Sequence, residues 1–285
     1  MKICRFNHNR IGVVVGDTVI DITSAFDLNP AWPLPPGDWL ARQLLDLPKM
    51  RAAVSKSSSR LALHEVSLAS PIANPGKIIG APINYRAHID EANADSEINN
   101  GTTYTNIDEF GLFLKAGSSL IGPSETVMPR FSERRTDHEV ELAVIIGKEA
   151  SFVKKDRAFE HILGFTIGLD MTVRGKEFPS FRKSPDTYTV LGPWLVTFDE
   201  IPSPDALELR LSVNGIEKQR ANTSQLIFSV ARLIEYASSF YTLFPGDIIM
   251  TGTPQGVGPV QPGDTIDVQI EAIGELSISV GRAAS

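Results

Sequence analysis

The sequence predicts a mostly β, α+β protein. Three observations carry that prediction. Short apolar runs bounded by turn residues recur along the 285 residues, only two or three segments have the apolar stripe of a helix, and strands and helices do not alternate as βαβ units do. The last point argues against a doubly wound parallel sheet. Apolar residues make up 42% and charged residues 21%, which is ordinary globular usage, and the length suits one large domain or two smaller ones.

Residues 2–6 and 11–22 read as short strands, with Gly16-Asp17 as a two-residue hairpin turn between Val13-Val14-Val15 and Val19-Ile20. A proline-rich stretch, 29–38, ends at Asp38, an N-cap for a helix over 39–45, and a second short helix follows Pro48. Residues 68–76 are rich in turn formers, so a border is expected near residue 70, between a small N-terminal domain, 1–70, and a larger one, 71–285. Residues 77–80 form a strand and 85–92 one or two helical turns. Residues 93–109 are polar and aperiodic, as expected of a mobile surface loop or lid. Residues 139–146 make the central strand, and 164–172 another. The chain then turns through Leu191-Gly192-Pro193 into 194–197, and Asn214-Gly215 closes a hairpin arm over 207–213. One clear helix has Leu226, Leu233, Ala237 and Phe240 on its apolar stripe, with Thr223 or Ser224 as its cap. Two similar turns, Phe244-Pro245-Gly246-Asp247 and Gln261-Pro262-Gly263-Asp264, each feed a strand.

The net charge of −7 offers no basic stripe for nucleic acid, so a small molecule is the expected partner. The single cysteine, Cys4, excludes an intrachain disulfide and fits a reducing compartment. Neither a signal-peptide core at the N-terminus nor a run of eighteen apolar residues is present, so a cytoplasmic protein without a membrane partner is expected.

Chemistry centres on Glu139 and Glu141, one residue apart at the head of a run fit for a buried strand. Side chains two apart share a face, so the two charges repel unless a divalent cation or a shared proton lies between them. Asp170 adds a third carboxylate near the end of another apolar run. Three oxygen donors suit Mg²⁺, Mn²⁺ or Ca²⁺, and the sequence lacks zinc-type Cys/His spacing. Alternatively each acid meets a lysine or arginine. His88 and Glu91, three apart on a helical turn, can form a dyad in which the carboxylate orients the imidazole to activate water, or be exposed neighbours. Lys183 is either a surface charge or a cation that stabilises an enolate, and Arg174 either a surface charge or a bidentate carboxylate binder. His138 points away from the glutamate face in a regular strand. The glycine-rich 251–258 segment lacks the Walker lysine, though Thr253 and its backbone can approach an anionic substrate.

Together these blocks resemble the fumarylacetoacetate hydrolase family from about Lys77 to Val280. The carrying residues are Lys77-Ile78-Ile79-Gly80, the 84–91 segment, Asp137-His138-Glu139-Val140-Glu141-Leu142, Gly164-Phe165-Thr166, Asp170-Met171-Thr172-Val173-Arg174, Lys183-Ser184-Pro185-Asp186-Thr187, Leu191-Gly192-Pro193-Trp194 and the 243–254 segment. The resemblance implies a mixed β-roll catalytic domain with a smaller N-terminal α/β domain, a homodimer, and Mg²⁺ or Mn²⁺ on Glu139, Glu141 and Asp170. It also implies His88, Glu91 and Lys183 as catalytic residues, and Tyr85, Arg174, Glu177 and Thr253 as substrate contacts. The expected activity is hydrolysis of a C–C bond in a 2,4-dioxo acid, an acylpyruvate of aromatic catabolism. The alternatives are an isomerase or decarboxylase of a 2-hydroxymuconate-type or 2-oxo dicarboxylic acid, and a non-catalytic metal- or ligand-binding protein. Four departures bear on this: Leu169 replaces the family's common Asn, Gly175 an acid, Val190 a Pro, and Glu177 a Gln. Glu177 is expected to add negative charge that disfavours a small dicarboxylate such as oxaloacetate unless Lys176 offsets it.

Overall fold

The computed structural model describes residues 1–201 and 203–282. Among them the apolar runs assemble into sheets of 12, three and five strands, the mostly β, α+β architecture expected. The largest sheet is built on Val140–Ile146 and Ile162–Asp170, antiparallel and buried at every residue. Burial on both faces explains why these strands are apolar without alternation. Ile248–Met250 continues the sheet on one side, followed by Ile78–Gly80 and Phe113–Lys115. On the other side Thr189–Thr197 pairs with Ile162–Asp170.

The N-terminal strands Lys2–Phe6, Arg10–Val15 and Thr18–Asp21 follow the expected meander, turning at Gly16 with φ +55°. Lys2 and Ile3 pair with Val196 and Leu195, so the hydrogen-bonded path crosses the border expected near residue 70. Asp38 caps the helix Trp39–Gln43 by accepting from Ala41 N. The five-stranded sheet holds the hairpin Glu208–Val213 and Ile216–Asn222, with positive φ at both Asn214 and Gly215 as its type I′ turn requires. Its inward residues Leu209, Leu211, Ile266 and Val268 join Val140, Leu142 and Val144 in the main core.

Three expectations are corrected. Leu191-Gly192-Pro193 does not turn: it lies inside the nine-residue strand Thr189–Thr197, and a register irregularity against Phe165/Ile167 accommodates the missing proline N–H. The apolar helix is Val230–Phe240, capped by Ser229 accepting from Arg232 N. Residues 223–225 instead form a 3₁₀ turn, closed by Asn222 accepting from Ser224 N and by Gln225 accepting from Asn222 N. The 93–109 segment is not aperiodic coil. It contains the helices Ser96–Asn99 and Ile107–Phe110, capped by Asp95 and Asn106 and held down by buried Ile98 and Ile107.

Candidate active site

The expected central strand breaks at Glu139. Thr136–His138 belongs to the three-stranded sheet and Val140–Ile146 to the largest, so Glu139 stands where the chain passes between them. Register then fixes the third acid. Val140 lies opposite Leu169, and Asp170 N donates to Glu139 O at 2.9 Å, which places Asp170 across from Glu139. Cross-strand partners share a face. The three carboxylates are all buried and offer oxygens within 4.8 Å of one another.

Two lysines and an arginine surround the triad. Lys183 Nζ donates to Glu139 Oε2 at 2.6 Å, Asp170 Oδ2 at 2.7 Å and Thr172 Oγ1 at 2.6 Å. Lys115 Nζ pairs with Asp170 Oδ1 and donates to Tyr188 O at 2.8 Å. Arg174 spans Asp137 Oδ2 at 2.7 Å and Glu139 Oε1 at 3.0 Å. Burial alone would raise the Glu139 carboxyl, but Lys183 and Arg174 outweigh it and hold it down at about 2. Glu141 is different. Its Oε2 accepts from Gly252 N at 2.6 Å, and no cation pairs with it among the described residues. Burial first, then the Asp170 charge, drive its carboxyl well above the ordinary range. Oxygen donors alone, with one acid left uncompensated, are the donor set and the charge excess that a hard divalent cation fits.

The triad opens into a cleft of about 680 Å³, walled by His88, Arg174, Lys183 and Thr253 and by the 98–114 and 175–182 segments. His88 Nδ1 meets Glu91 Oε2 at 2.9 Å, and Glu91 Oε1 accepts from Gly256 N at 2.8 Å. The dyad is therefore formed and tied to the glycine-rich loop. That loop reaches the site because Gly252 takes φ +97°, where a Cβ would lie 2.7 Å from Asn84 Cβ. Asn84 is buried and holds the loop by donating to Thr251 O at 2.8 Å. Thr253 Oγ1 accepts from Gln219 Nε2 at 2.8 Å, leaving the hydroxyl proton free to donate into the cleft. His138 points away from the triad, to Gln219 Oε1 at 3.1 Å.

Two expected substrate contacts stand differently. Tyr85 is 2% exposed, packed ahead of the helix Arg86–Ala94 and bridged to Leu226; burial, with Glu141 adding, pushes its phenol up. Glu177 lines the cleft, but both its oxygens are taken by Arg134, at 3.1 and 2.8 Å. The offsetting cation is thus Arg134, not Lys176, and the argument from Glu177 against a small dicarboxylate falls. Gly175 belongs to the same change. A Cβ there would sit 2.0 Å from Arg134 Nη2 and 2.5 Å from Glu177 Oε2, so an acid at 175 would displace the pair. Lys115, Asn84, Arg134 and Gln219 were not singled out from the sequence, and only Asn84 lay within a motif that was.

A mixed β-roll with a buried oxygen-donor triad at the head of a cleft defines a divalent-metal-dependent enzyme. Residues 77–281 match the family model for the C-terminal domain of fumarylacetoacetate hydrolase. The chain belongs to the fumarylacetoacetate hydrolase family. It is 55% identical to the maleylpyruvate hydrolase of Aquipseudomonas alcaligenes over 98% of this chain and 99% of that one. The crystal structure of maleylpyruvate hydrolase from Sphingobium sp. SYK-6 in complex with manganese(II) and pyruvate superposes with a TM-score of 0.86 at 39% identity, covering 100% of both chains. The 5-carboxymethyl-2-hydroxymuconate delta-isomerase from Mycobacterium smegmatis gives 0.74 at 30% identity, covering 99% of this chain and 100% of that one.

Proposed function

We propose that this protein hydrolyses the C3–C4 bond of an acylpyruvate of the maleylpyruvate or fumarylpyruvate type, releasing pyruvate and a carboxylic acid, in aromatic catabolism. The observation that carries the reading is the His88–Glu91 dyad, tied to the loop of Thr253 and sharing one cleft with the acidic triad. A water-activating base beside a metal centre is what hydrolysis needs and isomerisation does not.

Glu139, Glu141 and Asp170 would hold Mg²⁺ or Mn²⁺, which supplies Lewis-acid polarisation of the 2-oxo acid. The Glu91 carboxylate keeps the proton on His88 Nδ1, so Nε2 takes a proton from water as its oxygen adds to C4. As the C3–C4 bond breaks, its electron pair passes to the pyruvate enolate, C4 leaves as the carboxylic acid, and the proton returns to C3. The Lys183 ammonium faces the developing enolate charge. Burial would lower that ammonium's pKa, but Asp170 and Glu139 outweigh it, so Lys183 stays charged. Arg174 and the Thr253 hydroxyl orient the substrate carboxylate.

A second reading, isomerisation of a 2-hydroxymuconate-type acid, is favoured by the likeness to the Mycobacterium isomerase. In solution the enzyme is a cytoplasmic homodimer, with the machinery in residues 71–285 and a smaller module in 1–70. Among the described residues no helix is long and apolar enough to cross a membrane. The test is a Mn²⁺- and Mg²⁺-supplemented screen of acylpyruvates and hydroxymuconates read by mass spectrometry. Pyruvate plus a second acid supports hydrolysis, whereas a shifted double bond at unchanged mass refutes it in favour of isomerisation.

A further inference from the structure

One buried cation in the cleft is left without an acid. Arg182 ends the short helix Pro179–Arg182, is 6% exposed and lines the cleft. Its Nε donates to Glu177 O at 2.7 Å and Nη1 to Val173 O at 3.4 Å, while Nη2 has no partner among the described residues. Three acids of this region already have cations of their own. Glu177 gives both oxygens to Arg134, Asp137 is shared between Arg135 and Arg174, and Glu139 is shared between Arg174 and Lys183. A guanidinium cannot shed its proton to escape burial, so an unpaired one is costly to hold unless an anion completes it.

Its position decides which anion. Lys183, the next residue, reaches the triad with its ammonium, and both residues line the same cleft. Val173 O, which Nη1 contacts, directly precedes Arg174. Lys183 and Arg174 are both placed at the 2-oxo acid end of the substrate, while Nη2 of Arg182 is left without a partner among the described residues.

We infer that Arg182 is the specificity-determining residue that binds the distal carboxylate of the maleyl- or fumarylpyruvate substrate. The inference rests on the acylpyruvate reading for its substrate and on the unpaired guanidinium for its residue. A planar fork and a carboxylate form the strong charge-assisted pair, and a site built for it rejects an analogue lacking the acid.

The test compares kcat/KM for fumarylpyruvate and acetylpyruvate in the Mn²⁺-loaded wild type and Arg182→Met. The ratio of the two is expected to fall at least about tenfold in the variant, with acetylpyruvate changed by less than about threefold, the loss of one charge-assisted hydrogen bond. A ratio that falls less, or equal losses on both substrates, overturns the assignment. Arg182→Gln carries the same comparison if the methionine variant does not fold. A binding arm separates this failure from failure of the proposed reaction. With Mn²⁺ bound, 2-oxoadipate should weaken at least about tenfold in the variant while oxalate, which lacks a distal acid, is unchanged. If the wild type hydrolyses neither acylpyruvate, the reaction is wrong and the binding arm alone decides Arg182.

Discussion

Replacing Glu91 by glutamine separates a working dyad from a helix-surface pair. Glu91 makes two acceptor contacts at once: Oε2 with His88 Nδ1 at 2.9 Å and Oε1 with Gly256 N at 2.8 Å. Glutamine keeps the shape but has one acceptor and one donor end. With its oxygen toward His88, its amide meets the Gly256 N–H. With its amide toward His88, the imidazole must move its proton to Nε2 and can no longer accept one from water. Either arrangement loses a charge-assisted hydrogen bond of about 1.5–3 kcal/mol, or roughly 10- to 150-fold in kcat at 1.36 kcal/mol per decade. His88→Ala removes the base itself, for which about 10²- to 10⁴-fold is expected. Because the proton transfer assigned to Glu91 runs through His88, the double variant should be no slower than His88→Ala beyond what loosening the Gly256 contact costs. The assay is kcat on fumarylpyruvate, with Mn²⁺ affinity measured in parallel and expected unchanged, since neither residue belongs to the triad. Multiplicative losses in the double variant, or a Glu91→Gln kcat within twofold of wild type, would refute the dyad.

Three further outcomes are expected. Glu141→Gln should weaken Mn²⁺ binding by calorimetry more than about 100-fold, beyond the loss usual for an outer contact. In metal-free protein it should raise Tm by at least about 2–4 °C, because it removes the uncompensated buried acid. A lower Tm without metal would contradict the charge argument. Gly175→Asp should raise KM several-fold with Tm within about 3 °C, since the Arg134–Glu177 pair it displaces is partly exposed and worth about 0–1 kcal/mol; unchanged KM would show that the pair does not shape the cleft. Cys4 is buried, and burial raises its thiol from 9.0 to about 12. It should therefore resist a disulfide reagent at pH 8 until the protein unfolds. A group with a raised folded pKa contributes stability present below the unfolded value and lost above it. Cys4→Ala should therefore flatten the fall of stability between pH 9 and about 12 seen in a denaturant titration.

Features set by neighbouring residues were legible in the sequence. The Gly16 and Asn214-Gly215 hairpins, the Asp38 cap and the shared face of Glu139 and Glu141 all follow from spacing alone. What depended on distant partners was not. The lid segment read as aperiodic because Ile98 and Ile107, its anchors, stand singly among polar residues and meet apolar partners only in the fold. Gln219 lies in Ile216–Asn222, a strand polar along nearly all its length, and only its burial at 1% marks it as the clamp of Thr253. Lys115 closes an ordinary short strand, 55 residues from the Asp170 it meets. The Gly175 and Glu177 departures looked like two separate changes because the Arg134 that explains both lies 43 residues before Glu177.

The charges of the assembled cluster explain why so many cations stand beside a metal site. Asp137, Glu139 and Asp170 are each held by two of the four cations Arg135, Arg174, Lys183 and Lys115, while Glu141 pairs with none among the described residues. That pairing leaves nothing in the cluster for a second carboxylate. A distal acid entering the cleft needs a cation outside it, and Arg182, buried there without an acid, is the group whose charge the cluster does not already use.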